Sequence, residues 1–305
     1  MQAVLATVIS MALSLIIPPL SYFSGAAVGI VSLRRGWREG AFVTVVATGF
    51  IALVLTFSLG KPLLALVFSA VVWVPVMVLA LVLRSTISLR WTFITAFGLG
   101  LVVITIIHIL LPDPVNWWLD NVLRPLFSGV MAQGDMSAEQ RAGLQQTIEV
   151  TAQYMTGILA TALVLSSVVS LFIARWWQAL LYNPGGFGQE FRTLQLGRPY
   201  AMATVAMLAI SYLPMGVAAL FAREVVMLLL LLAAVQGIAL AHALVTLRKA
   251  HVAWLVGLYV LMFVALPQVV VALAVIAVMD AWLDLRRRLA PADSSGPPAA
   301  PPNDD

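Results

Sequence analysis

Cysteine is absent from the 305 residues of this chain, histidine occurs only three times, and charged residues make up 10%. The missing thiol excludes disulfides, thiolate metal sites and cysteine nucleophiles. Three scattered histidines cannot build a multi-histidine metal centre, so no metal and no other cofactor is expected. Nor does the chain contain a Walker A sequence, a His-Glu-x-x-His helix or a Gly-x-Ser-x-Gly elbow. With no nucleophile–base pair to name, the chain is not expected to be an enzyme. Any step driven by ATP would need another subunit.

The scarcity of charge also points to the solvent. An ordinary soluble domain carries about 25% charged residues. Here hydrophobic residues make up 62% and the mean hydropathy is +1.02, so most of the chain is expected in lipid. The net charge of +4 comes from basic residues in short turns between apolar runs, with no basic stripe for a nucleic acid to follow. The opening Met1-Gln2-Ala3-Val4-Leu5 lacks the basic start of a cleaved signal peptide, and is read as part of the mature protein.

The hydrophobic pattern predicts an all-α fold, a polytopic transmembrane helix bundle over residues 1–285 in eight hydrophobic blocks. The first block, about 2–33, is broken by Pro18-Pro19. Its halves of about 15 residues reach roughly 22 Å, against a bilayer core of about 30 Å. Two short spans or one long kinked span both fit. The last block, about 251–285, is interrupted at Pro267-Gln268 in the same way. If both blocks are hairpins, the chain makes about ten spans. Between them, Gly60-Lys61-Pro62 is a minimal loop, Pro75 falls inside a span, and Arg223-Glu224 reads as a solvated hairpin turn. After Arg286-Arg287-Arg288, a Pro/Ala/Ser/Asp-rich tail (286–305) is expected to be disordered.

Two loops stand out. In the outer loop, Asp113-Pro114 is an N-cap with proline at the first helical position. Val115, Trp118, Leu119, Val122, Leu126 and Val130 then fall on one face, which predicts an amphipathic helix in the interface plane, kinked at Pro125, within a loop over 113–150. Ser137-Ala138-Glu139-Gln140 is a capping box whose helix is expected to run unbroken into the next span and end near Ala174. The loop over 175–199 carries Trp176, Trp177, Tyr182, Phe187 and Phe191 around Asn183-Pro184-Gly185-Gly186. With no preceding strand and following helix, its glycines make a weak phosphate cradle. The aromatics read as lying against the membrane or a partner.

Placing the 34–38, 84–90, 175–198, 248–249 and 286–288 segments inside puts 13 of the 17 basic residues in the cytoplasm. Only Lys61, Arg124, Arg141 and Arg223 remain outside. This orientation implies a bacterial inner membrane protein with both termini cytoplasmic. Tryptophans 37, 91, 117, 118, 176, 177 and 282 then lie at span ends, where amphipathic rings belong.

Polar side chains inside spans are candidate ligand contacts by default. They are His108, Gln236, His242 and Gln268, the last at a helix break of the kind that lines substrate cavities. The bland alternative for each is an interhelical hydrogen bond. Gly25 and Gly29 form a small-xxx-small pair suited to docking another helix, from this chain or from a partner. Asp280 and Asp284 read as an ion-paired helix end near Arg287 and Arg288.

The proline-broken first block with its Arg-Arg-Gly-Trp-Arg turn resembles a bacterial family of predicted membrane proteins of unknown function, typified by YybS. So does the Ala-Arg-Trp-Trp-Gln…Asn-Pro-Gly-Gly-Phe…Glu-Phe…Leu segment, and the resemblance covers nearly all of 1–285. That family is distantly similar to the substrate-capturing S components of energy-coupling-factor transporters, which rely on separate ATPase subunits. The resemblance implies small-molecule binding or transport, a separate ATPase or coupling subunit or other membrane protein as partner, and Gly25 and Gly29 as its docking point. It supplies no catalytic residues. The competing expectation is a scaffold that recruits a protein through the 175–199 loop or the outer helix, without transport.

Overall fold

The computed structural model describes residues 2–14, 17, 19–131 and 136–289. Most of the expected tail, from residue 290 onward, lies outside the described residues. Its first residues, Arg286 to Arg288, belong to a short helix.

Proline sets the first fold. Pro19 has no amide hydrogen, and the chain breaks there between α1 (Gln2–Ser14) and α2 (Leu20–Arg35). The Ser24 hydroxyl donates to the Thr7 carbonyl at 2.9 Å. Residues so far apart in one continuous helix would be separated by roughly 25 Å, so α1 and α2 are a hairpin. The buried Trp73 indole donates to Ser24 Oγ at 3.0 Å and pins that hairpin to the bundle.

The last block folds back likewise. Gln236 of α13 (Val217–Leu247) donates to the Ala277 carbonyl of α15 (Leu266–Leu283), and Arg248 donates to Leu289. Both bridges join residues 41 apart, so α13 and α15 run parallel. The intervening α14 (Ala253–Val264) runs back along α13, its Tyr259 hydroxyl bonded to His242. The C-terminal half of α14 packs on α15 through Leu258 and Met262. Among the described residues, both terminal blocks therefore fold back as hairpins.

Six helices are long and apolar enough to cross a membrane alone: α3 (Trp37–Leu59), the rod Leu63–Thr86, α6 (Leu89–Leu110), α10 (Met155–Tyr182), α13 and α15. The others, α1, α2, α12 (Arg198–Ser211) and α14, have 13, 16, 14 and 12 residues. At roughly 18–24 Å they fall short of the core thickness. Phe57 and Phe263 are 89% and 92% exposed among many other bare apolar side chains, a surface that is stable against lipid rather than water.

The rod Leu63–Thr86 carries Pro75 and yet stays helical. Between α4 (Leu63–Phe68) and α5 (Val74–Thr86), residues Ser69–Trp73 form one widened π turn. Proline cannot donate to the residue four before it and its ring crowds that carbonyl, and a π turn just upstream makes the room. The outer helix solves Pro125 in the same way. Between α7 (Pro114–Trp118) and α8 (Arg124–Met131), the π turn Leu119–Leu123 takes up the expected kink.

Asp113 caps α7, its carboxylate accepting from the Asn116 amide at 3.0 Å, and Ser137 with Gln140 closes the capping box of α9 (Ala138–Ala152). Here two expectations change. The helix from Ser137 does not run into the membrane, because Gln153-Tyr154 makes a turn before α10, which then continues past Ala174 to Tyr182. The apolar face of the outer helix is also covered in part by protein rather than lipid. Leu119 and Leu123 bury against Ile148 and Ala152 of α9. The outer loop is thus a small helical cap.

The 175–199 loop does not lie on the membrane surface. It forms α11 (Gly186–Arg192) and packs against α10 and α13. Phe187 and Phe191 pack on Phe172, and Phe191 also packs on His242. Arg175 pairs with Glu190, while Leu194 and Leu196 are buried. Trp176 and Tyr182 remain exposed.

Candidate functional site

The central helix α13 carries the most consequential difference from the sequence reading. The turn before it is not Arg223-Glu224 but the Pro214-Met215-Gly216 stretch, so the helix starts at Val217 and carries Glu224 about 10 Å along its length. There Glu224 is 1% exposed. Its carboxylate stands 2.7 Å from Nε2 of His108, near the C-terminal end of α6. Arg223 turns away and donates to the Ser211 carbonyl at the end of α12.

Three helices enclose this pair. Phe221, one turn back on α13, meets the His108 ring edge to face at 5.5 Å. Gly157 of α10 supplies the third wall, since a Cβ there would stand 3.0 Å from the Glu224 Cα and 2.8 Å from Met227. The absent side chain lets α10 and α13 approach closely enough to seal the carboxylate. One residue before Gly157, the Thr156 hydroxyl accepts from the Trp118 indole of the outer cap at 2.8 Å. The cap is therefore tied directly to the wall of the site.

The other candidates disperse. Gln236 is buried and its amide holds the fold together, the oxygen accepting from the Leu196 amide and the nitrogen donating to Ala277. Gln268 lies exposed in the first turn of α15, nine residues or roughly 13 Å from Ala277 along the helix. The two amides do not converge on one cavity. His242 is bonded to Tyr259 and flanked by Phe191 near the C-terminal end of α13. Only His108, of the four, meets a carboxylate among the described residues.

Gly25 and Gly29 do dock a helix, but it is this chain's own α10. A Cβ on Gly25 would stand 2.6 Å from Ser170 Oγ, and one on Gly29 3.0 Å from Ala174 Cβ. Both glycines are buried in that contact, so they offer no free surface to a coupling subunit. The expected ion pair at Asp280 and Asp284 is also replaced. Asp280 is buried and accepts from the Leu285 amide, while Asp284 ends α15 in the left-handed region. Neither makes a salt bridge among the described residues.

Glu224 is the buried ionisable residue that the sequence placed in a solvated turn. The available signal was the Leu213-Pro214-Met215-Gly216 run, a stronger turn former than Arg-Glu. Placing the turn there leaves Glu224 inside a continuous apolar helix.

The fold and this pair define a polytopic α-helical membrane protein with an acid–base couple sealed near one end of its bundle. Compared with known proteins, the chain matches no family model, no curated protein and no solved structure.

Proposed function

We propose that this membrane protein binds a small molecule beneath its outer cap, in a transport-related role like that of the S components it resembles, with His108 and Glu224 as the polar contact. The observation that supports the reading is the buried pair itself. Placing an ionisable group in the membrane costs roughly 2.5–3.5 kcal/mol on insertion scales. Replacing a buried ion pair by apolar side chains is often neutral or stabilising, so packing alone gives no reason to keep this one. On this reading the protein sits in the bacterial inner membrane with both termini cytoplasmic, and any ATPase or coupling subunit is a separate chain. That subunit docks elsewhere than on Gly25 and Gly29.

The test is to purify the full-length protein with its Glu224→Gln and His108→Gln variants, and to compare small molecules that come out with each by mass spectrometry. A compound held by the parent and lost from both variants is the expected result. A parent that is repeatedly empty, with variants that behave as the parent does in the cell, removes the reading.

One observation favours the alternative of a scaffold: the Gln236 amide, a candidate cavity lining, is engaged by backbone. Crosslinking from Trp176 or Tyr182, which are exposed at the inner end, would then capture a protein instead of lipid.

A further inference from the structure

At the opposite end of the bundle from the His108–Glu224 pair, α11, α13 and the start of α16 (Leu285–Arg288) enclose a cleft of about 490 Å³. Three of its lining residues are arginines, Arg192, Arg286 and Arg287, and a single acid, Asp284, accompanies them. Arg192 and Arg287 make no hydrogen bond and no ion pair among the described residues, nor does the side-chain amide of Gln195 on the same wall. Arg286 gives one nitrogen to the Leu194 carbonyl at 2.8 Å, while its Nε is buried without a partner. Burial pushes the Arg286 guanidinium down from its ordinary value, against the opposite pull of Asp280 and Asp284.

Three guanidinium groups held around one space repel each other, and the two carboxylates near them, Asp284 on the lining and Asp280 acting on Arg286, still leave the set with a net positive charge. An unmet guanidinium N–H prefers an anion that accepts two parallel bonds, as the oxygens of a phosphate group do. The volume lies in the range of small-ligand pockets. Its position adds a constraint: Leu247 on its wall ends the long span α13, and Arg286 and Arg287 follow directly after the span α15. Basic residues immediately beyond a span lie at the depth of lipid phosphates.

We infer that this cleft is a binding site for a phosphate group, carried either by an anionic phospholipid or by a small soluble ester. Arg192 and Arg287 grip the phosphate oxygens from two sides, Gln195 donates beside them, and Arg286 forms the floor. The site is independent of the pair under the outer cap and does not rest on the transport reading.

The experiment titrates the full-length protein in neutral detergent with short-chain phosphatidylglycerol in one arm and glycerol 1-phosphate in the other, counting bound ligand by native mass spectrometry. Arg192→Gln with Arg287→Gln is the test variant, since neither side chain holds the fold together, and an unchanged melting temperature verifies this. Lys249→Gln with Arg288→Gln is the control, the same loss of charge near the cleft but outside its lining. The expected result is binding of one probe that weakens at least about tenfold in the test variant, as loss of two charge-assisted bonds implies, and changes little in the control. Binding in the first arm names a lipid as the source, and in the second a soluble ester. The proposal is overturned if neither probe binds, or if test and control variants lose affinity equally.

Discussion

Alanine at Gly237 is expected to loosen the contact between α13 and α15. A Cβ there would stand 2.9 Å from the carbonyl carbon of Leu273 and 2.9 Å from its Cβ. Carbon pairs rest near 3.5–4.0 Å, so α15 must retreat by about 0.6–1 Å. The adjacent bond from Gln236 to the Ala277 carbonyl, now 3.1 Å, then opens to about 4 Å and ceases to be a hydrogen bond. Overpacking costs roughly 1–3 kcal/mol and the lost bond roughly 1. Alanine's better helix propensity returns roughly 1, leaving a net loss of about 1–3 kcal/mol. Gly98 provides the control, because nothing lies within 4 Å of a Cβ at that position. Gly98→Ala should be neutral or stabilise by up to about 1 kcal/mol. Thermal unfolding in one detergent, followed by tryptophan fluorescence, reads the two as shifts of a few degrees in opposite directions. Equal shifts, or a Gly237→Ala protein that melts higher than its parent, would refute the close backbone approach.

Ser24→Ala strands the buried Trp73 indole and frees the Thr7 carbonyl from its partner, so it should destabilise the protein by about 1–3 kcal/mol in the same melting assay. Asp113 is held below the ordinary carboxylate range by the backbone amide of Asn116 and then by the Asn116 side chain. Its folded value being the lower one, its contribution is fully present above the ordinary carboxylate range and is lost as pH falls through the depressed value. Protection of the 115–118 amides, measured against the intrinsic exchange rate at each pH, should therefore fall in acid, and Asp113→Ala should show the lower protection at neutral pH, having lost roughly 1 kcal/mol of capping. The chain has no cysteine, so single cysteines report topology without background. Thr193→Cys should react with a membrane-impermeant maleimide only after cells are opened, and Ser137→Cys in intact cells, as the charge distribution requires.

The helices were legible because their signals are local. Pro19, Gly60, the Asp113 cap and the Ser137 capping box act within a few residues of themselves, and each marks an end that the fold keeps. What escaped was set by partners distant in the chain. Glu224 looked like a solvated turn because its own neighbours say nothing of His108, which comes from a helix 116 residues earlier. Gly25 and Gly29 were recognisable as a docking face, but nothing local names Ser170 and Ala174 as the occupants. Gln236 illustrates the same limit. An amide in an apolar run signals a hydrogen bond, and only the folded 175–199 loop shows that the Leu196 N–H donates it.

The two π turns carry a consequence of their own. A helix that widens for one turn behaves as if a single residue had been slipped into it, so the segments on either side are rotated by about 100° relative to an uninterrupted rod. In the rod Leu63–Thr86, that offset lets Trp73 face Ser24 while Val76, Leu79 and Leu83 face the core on the other side of Pro75. Removing one residue from 69–73 would rejoin the two halves as one continuous rod and swing the Leu63–Phe68 segment round the axis, carrying Ala65 out of its buried place. The proline and the extra residue are thus one unit of design, and neither is expected to tolerate loss of the other.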